Sequence, residues 1–233
     1  MTTTVPAPVT GTAEGSALEA VFLDMDGTLV DTEGFWWDAE VEVFAALGHR
    51  LQESWRDVVV GGPMSRSAGF LIEATGADIT VPELTVLLND RFEARISRGV
   101  PLMPGAARLL GELAEHAVPT ALVSASHRRI IDRVLQSLGP RNFALTVAGD
   151  EVGRTKPHPE PYLFAAAGLG ADPTRCAVIE DTATGVAAAE AAGCRVVAVP
   201  SVAPIEAASG RVVVDSLEQV DLAFLRTLIT RMN

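Results

Sequence analysis

The sequence predicts an α/β protein: a doubly wound, parallel-sheet, Rossmann-like core with an inserted all-helical domain. Short apolar runs of strand length recur along the chain, and segments of helical period separate most of them. One long stretch near the N-terminus breaks this alternation with helical patterns alone. Strands that alternate with helices imply a parallel sheet covered on both faces.

Residues 1–18, beginning MTTTVPAPVTGTAEGSA, mix Thr, Pro, Gly and Ala and read as a disordered tail without the basic and apolar regions of a secretion signal. Ala20–Leu23 is the first strand. Further strands are expected in PTALVSAS (119–126), FALTVAG (143–149), CAVIED (176–181) and CRVVAVP (194–200), with a weaker one in RVVVD (211–215). Pro104–His116 opens with a helix-favouring proline and aligns Leu109, Leu110 and Leu113 on one side. Arg128–Leu138 carries Ile130, Ile131, Val134, Leu135 and Leu138 at helical spacing. Glu160–Ala167 and Thr184–Ala192 are two more helices, the second closed by Gly193. Between the first and second strands, Glu33–Leu47, Glu53–Val60, Ser65–Ala74 and Val81–Arg98 all read as helices, punctuated by GGPM (61–64). The expected organisation is a core of residues 19–32 and 100–233 carrying a helical insertion of residues 33–99, hinged near Val30–Glu33 and Gly99–Pro104.

The net charge is −12 and no basic run is present, so nucleic acid is not an expected partner. No apolar run approaches the roughly 20 residues of a membrane span. Cys176 and Cys194 each border a predicted core strand and are expected as buried free thiols, which fits a reducing cytoplasm. The subunit is expected to be a monomer or homodimer.

Ligands of doubly wound sheets bind beyond the carboxyl ends of the strands. There the first strand delivers Asp24 and Asp26, the second Ser124 and Ser126, and the fourth Glu180 and Asp181. The loop after the third carries Lys156, the one lysine among 18 Lys and Arg residues. Taken singly, each has a plain alternative: an Asp closing a strand is often a turn residue, a lone Ser a cap, a lone Lys a solvated loop cation. Together they bring four carboxylates, hydroxyls and an ammonium to one edge. His49, His116, His127 and His158 read as surface residues, and no His/Cys cluster indicates zinc. A Gly-x-x-x-x-Gly-Lys phosphate loop cannot be built around GGPM, which has no Lys.

The set resembles the haloacid dehalogenase superfamily. DMDGTLVD (24–31) is similar to its first motif, VSAS (123–126) to its second, KPHPEPY (156–162) to its third and IEDTATGVAAAEAAG (179–193) to its fourth, with the helical insertion in the place of the family's cap. The resemblance implies a small phosphorylated metabolite as partner and hydrolysis of its phosphate monoester through an aspartyl-phosphate. It makes Asp24 the nucleophile and Asp26 the general acid and then base. It makes Mg²⁺ the cofactor, on an Asp24 oxygen, the Asp26 carbonyl and Asp181, with Glu180 acting directly or through water. It sets Met25, Ser124, Ala125 and Lys156 about the phosphate. From the residues themselves, Asp24 and Asp26 are two apart, so on a regular strand both point to one face, and Gly27 lets the chain bend sharply after them.

Within the family, Schiff-base phosphonate cleavage uses a cap lysine that this chain lacks, and dehalogenases lack the second aspartate present here as Asp26. A β-phosphoglucomutase-like transferase remains the alternative. Its cap histidine corresponds to Trp36, and its cap lysine is missing, so hydrolysis is favoured. A binding protein without catalysis on the same fold is the third reading. For the cap wall, Trp36, Gly62 and Arg66 are the candidate substrate contacts, against simple core packing of Trp36 and Trp37 and a surface role for Arg66.

Overall fold

The computed structural model describes residues 18–59 and 64–230. Six strands form one parallel sheet in the order β3-β2-β1-β4-β5-β6: β1 (Ala20–Leu23), β2 (Thr120–Val123), β3 (Leu145–Val147), β4 (Cys176–Glu180), β5 (Arg195–Ala198) and β6 (Arg211–Val213). The four central strands are continuous apolar runs because both faces of the sheet are covered. Alternate residues enter separate cores. Val21 and Leu23 pack with Leu122, Ile179 and Val197 under α5 (Ala106–Glu115), α6 (Arg128–Leu138) and α9 (Leu222–Thr230). Ala20 and Phe22 pack with Val123, Val178 and Val196 under α7 (Glu160–Leu169) and α8 (Ala183–Ala191). Helix α9 is not among the elements expected from the sequence, although Leu222, Leu225, Leu228 and Ile229 recur at helical spacing and are its buried residues.

Between β1 and β2 the chain is helical: α1 (Glu33–Ala46), a 3₁₀ turn (Glu53–Trp55), α2 (Arg56–Val59), α3 (Met64–Thr75) and α4 (Val81–Ile96). Helix α4 opens with a reciprocal cap, in which the Glu83 amide donates to Thr80 Oγ1 and the Glu83 carboxylate accepts from the Thr80 amide. These helices have their own core, with Trp37, Phe44, Leu71, Leu84 and Leu88. The two chain crossings that join them to the sheet are tied to each other: the Asp31 amide donates to the Pro101 carbonyl (3.0 Å) and the Met103 amide to that of Leu29 (2.9 Å). Arg129 and Arg133 of α6 reach Asp90 and Glu93 of α4 across the same boundary. Cys176 and Cys194 are buried free thiols. Among the described residues, no helix is long and apolar enough to cross a membrane.

Candidate active site

Strand β1 ends at Leu23, so Asp24 and Asp26 lie just past it rather than on it. They nevertheless line one cavity, because the backbone turns at once. Gly27 sits at φ +79°, and the Leu29 and Val30 amides both return to the Met25 carbonyl. A side chain at Gly27 would be strained there, and its Cβ would stand 2.1 Å from Asp181 Oδ2. Met25 itself points into the core and is fully buried.

Lys156 is 5% exposed, and its ammonium donates to Asp24 Oδ1 (2.6 Å), Glu180 Oε1 (2.5 Å) and the Val123 carbonyl (2.8 Å). An ammonium has three N–H groups, so all are engaged. Burial alone would lower the Lys156 pKa; the charges of Asp24 and Glu180 outweigh it and hold the group above its ordinary value. Lys156 therefore pairs with Asp24. A contact with phosphate requires it to exchange one of its three partners.

Glu180 is fully buried and accepts five hydrogen bonds. Oε1 takes Lys156 and the Tyr162 hydroxyl (2.7 Å); Oε2 takes the Asp181 and Thr182 amides and the Thr182 hydroxyl. Consecutive residues of an extended segment point to opposite sides. Asp181 accordingly lines the cavity and Glu180 does not. One oxygen from each of Asp24, Glu180 and Asp181 lies within 4.8 Å of the others. This crowding has an electrostatic signature. Burial, partly offset by Lys156 and reinforced by Glu180 and Asp181, pushes Asp24 well above the usual carboxylate range. Burial and the Glu180 charge push Asp181 up to about 7, against the hydrogen bonds from Ser201 and Thr28.

The close packing behind Glu180 gives a direct test of its positioning. A Cβ on Gly185 would stand 1.8 Å from Glu180 Oε1, where the carboxylate is pinned by its five donors. Gly185→Ala is expected to cost about 2–3 kcal/mol of stability in urea unfolding. An unchanged midpoint would show that Glu180 moves freely.

Asp26 has different surroundings. It is half-buried and accepts from three hydroxyls: Thr32 at 2.6 Å on Oδ1, with Ser126 at 2.8 Å and Ser124 at 3.4 Å on Oδ2. Ser124 is thus the longer of the two serine contacts. Its hydroxyl also accepts the Ser126 amide, which holds the loop containing Ala125 against the cavity.

Helices α1 and α4, with residues of α3, close the other side of a cavity of ≈ 350 Å³. Trp36 lines it, stacked on Phe92 with ring centroids 3.7 Å apart, while Trp37 belongs to the helical core. Arg66 is exposed, donates to the Val58 carbonyl at 3.5 Å and does not line the cavity. Gly62 lies outside the described residues. Sequence reasoning missed Thr28, Thr32, Ser201, Tyr162 and Glu40. For Glu40 a signal existed, since Glu33, Trp36 and Glu40 are spaced to share one helix face.

A Rossmann-like sheet whose strand ends converge carboxylates and an ammonium on one cavity defines the class, an enzyme working at the carboxyl edge of a parallel sheet. Residues 18–193 match the model of the haloacid dehalogenase-like hydrolases, and the chain belongs to that family. The bifunctional riboflavin kinase/FMN phosphatase of Arabidopsis thaliana is 35% identical over 183 residues, 78% of this chain. That match covers 48% of the Arabidopsis protein, so the chain spans about half the length of this relative. Hexitol phosphatase B of Escherichia coli (strain K12) is 30% identical over 195 residues, covering 79% of this chain and 84% of that protein. The structure of CbbY from Rhodobacter sphaeroides in complex with phosphate matches with a TM-score of 0.80 and 26% identity, over 89% of this chain and 99% of that one.

Proposed function

We propose that the chain hydrolyses the phosphate monoester of a small organic molecule through an aspartyl-phosphate on Asp24. The observation that carries this reading is the unequal setting of two aspartates on one cavity. Asp24 is buried against an ammonium, whereas Asp26 is half-buried among three hydroxyls. Two carboxyl groups in unlike environments can take unlike roles.

The donor set fits a hard divalent cation. Three buried carboxylates stand together against one lysine, and burial, reinforced by their mutual charge, pushes Asp24 and Asp181 upward, which a bound cation would reverse. Asp24, the Asp26 carbonyl and Asp181 would hold Mg²⁺, with Glu180 acting directly or through water while it also fixes the lysine. Bound there, Mg²⁺ neutralises the carboxylates and draws charge from the phosphoryl group.

In the first step an Asp24 oxygen attacks phosphorus and the ester P–O bond breaks, with Asp26 delivering a proton to the leaving oxygen. In the second, Asp26 takes the proton of an attacking water, the Asp24–phosphorus bond breaks, and phosphate and free Asp24 return. Ser124 and the Ala125 amide steady phosphate oxygens. Residues 33–99 act as a cap over a core of 19–32 and 100–233, closing to exclude bulk water. Transfer to a sugar is less well supported, because Trp36 stands stacked on Phe92 at the position of the mutase histidine and no lysine occurs in the cap.

The test is phosphate release from p-nitrophenyl phosphate. EDTA is expected to lower turnover at least ~100-fold, with recovery on adding Mg²⁺. Turnover indifferent to EDTA would remove the metal. Tight phosphate binding with no ester hydrolysed would leave a binding protein on this fold.

A further inference from the structure

The cap side of the cavity holds a carboxyl group that the chemistry above does not use. Glu40, on α1, is 4% exposed, lines the cavity, and its Oε2 has no hydrogen-bond partner. An unsatisfied buried polar atom costs about 1–3 kcal/mol, a cost that a bound ligand group would remove. Around the same cavity, Asn89 is 3% exposed and commits one amide N–H to the Thr85 carbonyl at 2.9 Å. The Ser67 and Thr85 hydroxyls donate to the Val59 and Val81 carbonyls, at 2.8 Å each, so their lone pairs remain as acceptors. Trp36, Val59 and Met64 supply apolar surface between these groups.

The cavity's charge is as informative. Among the described residues, no arginine lines it, in a chain whose 18 Lys and Arg residues include a single lysine. Lys156 is the one permanent cation of the lining, and it lies at the core end, on Asp24. Residues 60–63, Val-Gly-Gly-Pro, add none by sequence. A second phosphate or a carboxylate on the substrate would find no counter-charge on this side of the cavity and would meet Glu33 there.

We propose that Glu40 is a specificity-determining residue: with Asn89 it receives the hydroxyl groups of an uncharged polyhydroxylated tail, so that the enzyme selects polyol or sugar monophosphates and rejects esters bearing a second anion. The assignment rests on the phosphomonoesterase reading. Burial pushes the Glu40 carboxyl up to about 8. At neutral pH the acid is then protonated, and it both donates and accepts, as a hydroxyl requires and an ammonium does not.

The experiment compares kcat/KM for sorbitol 6-phosphate, 2-phosphoglycolate, phosphoethanolamine and p-nitrophenyl phosphate in the wild type, Glu40→Leu and Glu40→Gln. Wild-type enzyme is expected to prefer sorbitol 6-phosphate to 2-phosphoglycolate by at least ~100-fold. In Glu40→Leu the ratio of sorbitol 6-phosphate to p-nitrophenyl phosphate should fall ~10- to 100-fold. Glu40→Gln, also a donor and acceptor, should keep that ratio within ~5-fold. An unchanged ratio in Glu40→Leu, or a wild-type preference for 2-phosphoglycolate or phosphoethanolamine, overturns the assignment while leaving the phosphatase reading intact. Failure of the wild type on every ester, p-nitrophenyl phosphate included, overturns both.

Discussion

Asp24→Asn is expected to reduce phosphate release from p-nitrophenyl phosphate by roughly 10⁴-fold or more, the scale on which loss of a covalent nucleophile is felt. The fold should survive. Asn retains an oxygen that can accept from Lys156, and the ammonium keeps Glu180 and the Val123 carbonyl. Removal of one buried carboxylate from the group of three also relieves repulsion, so the thermal midpoint should hold or rise. Loss of activity without loss of stability separates chemistry from folding. Mass spectrometry of protein quenched during turnover should find a phosphorylated peptide containing residue 24 in the wild type and none in the variant. Parental turnover in the variant, with deamidation back to Asp excluded, would remove Asp24 as nucleophile.

The sheet, and the edge at which polar side chains gather, were legible because a parallel sheet buried on both faces writes its strands as unbroken apolar runs. The runs of β1, β2 and β4 are each followed within three residues by polar side chains that line the cavity. That rule brought Asp24, Ser124, Lys156 and Asp181 to one edge without knowledge of any contact. The hydroxyls that reach the acids from outside the strand ends were illegible. Thr28 meets Asp181 across 153 residues and Ser201 meets it across 20, and nothing in a loop hydroxyl announces a partner so distant. Glu180 shows a different limit. Adjacent in sequence to Asp181, it reads as an acid of the same group, and its oxygen does stand within 4.8 Å of theirs; what the sequence does not show is that the alternation of an extended chain also turns it toward Tyr162 on α7. Of the candidates in the helical insertion, Trp36 lines the cavity and Arg66 does not, because helical spacing places a long exposed side chain on a face without fixing where its charged end points; Arg66 turns to the Val58 carbonyl.

Lys156→Arg keeps the charge and is expected to lose ~10²- to 10³-fold in kcat/KM. The ammonium is a point donor at which three acceptors converge, two carboxylates and a main-chain carbonyl, within 2.5–2.8 Å. A guanidinium is a wide planar fork. In a site 5% exposed, it must displace Glu180 or Asp24 or lift the loop, and overpacking of this kind costs about 1–3 kcal/mol in stability. Charge alone is not a small effect: at ~4 Å and an effective dielectric near 20, it amounts to about 4 kcal/mol of attraction. Lys156→Met separates the two contributions. It removes the charge in a side chain of similar length, leaves Asp24 and Glu180 unopposed, and should destabilise by about 3–5 kcal/mol. If fit matters as well as charge, the arginine variant stays folded in urea well beyond the methionine variant, yet turns over far more slowly than the wild type. An arginine variant with near-normal turnover would reduce Lys156 to a counter-charge. The lone lysine of the chain would then be an accident of composition rather than a requirement of shape.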